Sequence, residues 1–109
     1  MPLTRSFKDT VQSRAQKDPR FRRALLIEAI EALLAGDMGA GKAVLRDYIN
    51  ATIGFESLAE ATGINAKSLM RMLGPSGNPH AANLFTVLEH LQKSEGIALE
   101  LRAAPRDRR

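Results

Sequence analysis

The chain has 109 residues, 44% of them hydrophobic, and a formal net charge of +4, which fits a single domain with one modest core. It contains no cysteine, which excludes a disulfide framework, a thiolate zinc site and a cysteine nucleophile. No apolar run approaches the ~18 residues that a membrane span requires, and residues 1–18 lack the apolar centre of a signal peptide, so a cytoplasmic protein with no membrane partner is expected.

The chain opens on a basic segment: residues 1–23 carry seven Lys/Arg against two Asp. Ser6-Phe7-Lys8-Asp9 has capping-box spacing, with Asp in place of the usual Glu. A short helix to about Lys17 follows, with Phe7, Val11 and Ala15 on one stripe, and residues 1–18 read as a basic N-terminal arm. Asp18-Pro19 is a stronger start signal, because Pro at the first helical position gives up an N–H that has no partner anyway. That helix should run to Ala35 with Gly36 just beyond it, and Phe21, Leu25, Leu26, Ile30, Leu33 and Leu34 form its apolar face. Asp37 caps the next helix, which reaches Thr52 with Val44, Leu45, Tyr48, Ile49 and Ile53 at helical spacing. The run from Gly36 to Lys42 fits G-x-x-x-x-G-K. Yet Ala43 stands where a phosphate loop needs Ser or Thr, and a helix precedes it where a strand should. A helix end followed by a new helix explains the glycines.

From Phe55 to Leu73 the sequence FESLAEATGINAKSLMRML has the pattern of a helix-turn-helix. Ala59 is small where a second helix must cross, and Gly63 turns the corner with a positive φ that costs glycine almost nothing. Leu58, Ile64, Leu69 and Met72 are apolar where the unit must sit on the domain. Asn65 can cap the second helix by accepting from the N–H of Lys67 or Ser68. Ala66, Lys67, Met70 and Arg71 then lie on the outer face, with Lys67 and Arg71 four apart on one side. Arg and Lys there can reach guanine O6 and N7 in the major groove of double-stranded DNA. The competing reading is an ordinary helical hairpin with a solvated basic face.

Gly74-Pro75-Ser76-Gly77-Asn78-Pro79 must be a loop, since two prolines and two glycines exclude regular structure. A fifth helix spans about His80 to Lys93 with Leu84, Val87, Leu88 and Leu91 inward, and ends near Gly96. The period then changes: Ile97, Leu99 and Leu101 alternate with Ala98, Glu100 and Arg102, which is strand spacing. A lone strand needs a partner, and antiparallel pairing with a second copy in a homodimer would supply one. The alternative is a short extension lying on its own domain. The last residues, 103–109, form a basic tail.

His80 and His90 are ten apart, with no acid spaced to complete a metal set. Glu28, Glu31, Glu56 and Glu60 read as solvated helix faces, with His90 on the exposed side of the fifth helix. No catalytic residue, metal site or cofactor is expected.

Taken together, GD at Gly36-Asp37, the motif SLAEATGINAKSLMRML, the run GPSGNP, the helix NLFTVLEHL and the alternating IALEL tail resemble the addiction-module antidote proteins. These are HigA-like antitoxins with a DNA-binding domain of the lambda-repressor/Cro type, and the likeness covers about residues 21–102. The resemblance implies a five-helix lambda-repressor-like domain. With the arm and the strand read from the residues, the expected fold is all-α, with that domain over residues 19–102, an N-terminal helical arm and a short C-terminal β-strand. It implies a dimer reading a palindromic operator, binding of a small RelE/HigB-like toxin, and repression of the shared operon. Carried over by position, Lys67 and Arg71 would meet base edges, with Ala66 and Met70 beside them. Asn65, Ser68, Ser76, Asn78 and His80 would lie near phosphates or position the helix. Phe55 stands where phage repressors often carry glutamine, so that phosphate contact is not carried over. Residues 1–20 lie outside the match and inherit no role. Two other functions fit the same residues: a stand-alone transcription regulator without a toxin, and a helical adaptor presenting cations to an acidic protein.

Overall fold

The computed structural model describes residues 5–107, with side chains from Asp9 onward. It is all-helical, with six helices in the order α1 (Arg5–Lys17), α2 (Pro19–Leu34), α3 (Met38–Ala51), α4 (Phe55–Thr62), α5 (Ala66–Met72) and α6 (Ala81–Glu95). These correspond to the expected arm helix and five domain helices. The capping pair is corrected: Arg5 already belongs to α1, so Ser6 lies inside the helix. The side chain of Phe7 lies outside the described ones.

Most helix ends follow the chemistry of their caps. Asp18 accepts from the N–H groups of Arg20 and Phe21 with Pro19 at the start of α2, and Asp37 accepts from Ala40 N at the start of α3. Each such cap satisfies donors that a helix start otherwise leaves bare, and is worth about 1 kcal/mol. Gly36 and Gly96 follow the ends of α2 and α6 with φ of 87° and 74°.

The core gathers Leu26 and Ala29 of α2, Leu45, Tyr48 and Ile49 of α3, Phe55 and Leu58 of α4, Leu69 and Leu73 around α5, and Val87, Leu88 and Leu91 of α6. Every helix from α2 onward thus contributes to one cluster, as an amphipathic stripe requires. Three residues of the expected apolar face of α2 lie outside this cluster: Phe21 and Leu33 are half-buried and Leu34, the last residue of the helix, is exposed.

Ion pairs and hydrogen bonds around the buried Glu95 carboxylate tie α2 and α3 to α6. The Glu95 carboxylate, only 3% exposed, receives Arg22 Nε at 3.1 Å and lies 3.7 Å from Arg23 Nε. The Tyr48 hydroxyl donates to it at 2.6 Å. Arg22 also donates through Nη1 to the Ala15 carbonyl at 3.0 Å, and Ala15 is fully buried. The arm helix α1 is therefore packed on α2 and α3.

The expected strand over 97–102 is corrected. Among the described residues there is no β-strand, and this segment has no regular secondary structure. Its alternation is nevertheless real: Ile97 and Leu99 are half-buried against the domain's own core, while Ala98 and Glu100 are exposed. The Leu99 N–H, which a strand partner would have taken, donates to Gln92 Oε1 at 2.8 Å. Period two here reflects an extension covering an apolar edge, which satisfies the same sequence pattern. Of the three alternating apolar residues, Leu101, 82% exposed, points away from the domain.

Candidate nucleic-acid interface

The turn between α4 and α5 is built as its residue types dictate. Gly63 adopts φ 76° and its N–H donates to the Ala59 carbonyl at 2.9 Å, closing α4. Thr62 Oγ1 donates back to Leu58 O and accepts from Ile64 N, which fills the remaining turn donor. Asn65 Oδ1 then accepts from Lys67 N at 2.8 Å and Ser68 N at 3.4 Å. Its carboxamide oxygen is committed to capping α5, so Asn65 positions the helix. Phe55 and Leu58 hold α4 to the core, and Leu69 and Leu73 hold α5.

With Leu69 fully buried, its neighbours project the other way. Lys67, Ser68, Met70 and Arg71 are exposed and Ala66 is half-buried. Neither Lys67 nor Arg71 enters an ion pair among the described residues, and α5, AKSLMRM, carries no acid. These two cations, with Met70 between them, 47% exposed, make a surface suited to an anionic partner. Ser76, Asn78 and His80 are likewise exposed. His80 occupies the cap position of α6, its side chain making no capping bond. His90, expected on the exposed side of that helix, is half-buried.

The loop behind α5 is rigidly specified. Gly77 N donates to Gly74 O at 3.0 Å, a four-residue turn with Pro75 at its second position, where its fixed φ is favoured. A Cβ on Gly77 would strike the carbonyl oxygens of Arg71 and Met72, so only glycine lets the loop fold against the end of α5. Two cations of α3 secure it from below. Lys42, 5% exposed, donates through Nζ to Gly74 O at 3.0 Å and Gly77 O at 2.7 Å. Arg46 donates through Nη1 to the Leu73 carbonyl. Sequence reasoning missed both, having met Lys42 only as the end of a false phosphate-loop motif. The signal was present: Lys42 lies three and seven residues before Leu45 and Ile49, on the inward stripe of α3, where a cation needs acceptors.

No protein-family model, curated protein or solved structure matches the chain.

Proposed function

We propose that this protein is a sequence-specific repressor that binds double-stranded DNA through the α4–α5 helix-turn-helix, and that it is the antitoxin of a two-gene module whose operon it represses. The observation that carries the DNA-binding part is the outward, unpaired pair Lys67 and Arg71 on a helix fixed at both ends. In the groove, Lys67 and Arg71 meet base edges, with Met70 and Ala66 in apolar contact beside them. Ser68, Ser76, Asn78 and His80 contact phosphates, which set register and carry no sequence information. One α5 helix covers only a few base pairs, so specific binding needs two copies about one helical turn apart. The homodimer forms through the 97–102 tail and the neighbouring face of α6. Support comes from two large exposed apolar side chains, Leu101 and Phe85. Phe85 lies seven residues before Gln92, the residue that anchors the tail, and so on the same side of α6. The toxin partner, of the RelE/HigB-like kind, and the shared operon rest on the resemblance of the motif, loop and tail to HigA-like antitoxins.

The test is binding to the DNA upstream of the protein's own gene. Arg71→Ala should weaken that complex by roughly 1–3 kcal/mol and relax preference at one base pair. Equal losses on this DNA and on random duplex would reassign Arg71 to backbone contact. Co-purification with the product of the adjacent gene tests the antitoxin part. An adjacent product that never co-purifies would leave a regulator without a toxin.

A further inference from the structure

A buried lysine normally faces a carboxylate. Lys42 does not: among the described residues it enters no ion pair, and its ammonium instead holds the two carbonyls that open and close the Gly74–Gly77 turn. Arg46, one helical turn further along α3, holds the carbonyl of Leu73 just past the end of α5. Three carbonyls at and beyond the end of α5 are thus drawn inward by two positive charges, which also suit the negative end of the helix dipole. Two donors of the same loop are left without such a partner. The amides of Ser76 and Asn78 donate to nothing among the described residues, and the side chains of Ser76, Asn78 and His80 are exposed beside them.

We propose that Lys42 and Arg46 are positioning residues for duplex binding. Although Lys42 is buried and α3 lies behind α5, they set the angle of α5 and present the 74–79 loop as a donor surface to the phosphate backbone. The inference rests on the DNA-binding reading above and adds residues outside the helix-turn-helix motif. Neither cation touches a base. Their effect reaches the duplex through the Leu73, Gly74 and Gly77 carbonyls.

The experiment compares wild type, Lys42→Met, Lys42→Arg and Arg46→Gln on the duplex upstream of the gene, over a salt series, with circular dichroism melts of each. Lys42→Met keeps the length and removes the charge. It should stay helical and lose about tenfold or more in affinity, with the salt slope unchanged, because the loop donors are uncharged and release no counterions. Lys42→Arg should restore most of the affinity, and Arg46→Gln should fall between. A purely structural role would lower the melting temperature and leave the affinity of the folded protein unchanged. Folded Lys42→Met with wild-type affinity overturns the proposal, and a slope shallower by about one would show that Lys42 itself neutralises a phosphate and is not a positioning residue. If that variant fails to fold, half-buried Arg46 carries the same readouts. Wild type that binds no duplex defeats the DNA-binding reading itself, a failure visible before any variant is made.

Discussion

At the scale of single residues, Tyr48 and two glycines separate kinds of stabilisation. Burial, followed by the hydrogen bond to Glu95, pushes the Tyr48 hydroxyl above its ordinary value of 10.0. The folded state therefore keeps its proton while the unfolded chain releases it. The resulting stability is complete below pH 10 and is lost progressively as pH rises beyond that. Tyr48→Phe should cost about 1 kcal/mol near neutral pH, because Glu95 loses a donor. The gap between wild type and variant should shrink by as much as ~1.4 kcal/mol per pH unit above 10. Urea melts at pH 8 and pH 11 check this, and a constant gap would show that Tyr48 ionises as freely when folded. Gly63 and Gly77 would each gain one methyl on change to alanine, with different consequences. A Cβ at Gly63 meets nothing within 4 Å, so only its positive φ is penalised, at about 1 kcal/mol. At Gly77 the methyl meets two carbonyl oxygens, the loop must move, and the loss in a denaturant melt should be the larger. The reverse order would contradict the loop packing described here.

At the scale of elements, α5 is the most dependent part of the molecule. Seven residues are too few to hold a helix alone, so the Asn65 cap, buried Leu69 and the α3 clamp sustain it together. Asn65→Ala should cost ~1 kcal/mol in stability and raise amide exchange selectively at Lys67 and Ser68. Unchanged exchange there would remove the cap from the explanation. The caps at Asp18, Asp37 and Asn65, the Gly63 turn and the outward α5 residues were legible in the sequence, because each depends on neighbours within about four positions; the Ser6 cap was misread, since the helix already includes Arg5. What was not legible depends on distant partners. The Lys42 bonds join residues 32 and 35 apart, and the Arg22–Glu95 bond spans 73. The tail was misread for a related reason. Alternation shows that every second residue is covered, but not whether a second chain or the protein's own core covers it.

At the scale of the whole molecule, charge is unevenly spread along the sequence. Residues 102–109 carry four Arg against one Asp, whereas residues 24–101 carry five cations against nine acids. If the protein binds duplex DNA as proposed, its basic ends add an attraction that weakens with salt. The dimer proposed through the tail has its own test. Leu101 is exposed and makes no contribution to the core, so Leu101→Asp should leave the melting temperature of the single domain nearly unchanged while weakening self-association. Sedimentation showing an intact dimer would move the interface elsewhere. Leu99→Asp is the less discriminating change, because Leu99 also packs against the core of its own chain.

If the outer face of α5 enters the major groove as proposed, methylation of guanine N7, which lies in that groove, reports on it directly. Methylation interference should be mapped with wild-type protein on the DNA upstream of its gene. The prediction is interference at guanines in two symmetric half-sites about one helical turn apart, with one guanine per half-site becoming insensitive in Arg71→Ala. Binding that is indifferent to guanine N7 methylation, or a pattern identical in wild type and Arg71→Ala, would contradict it.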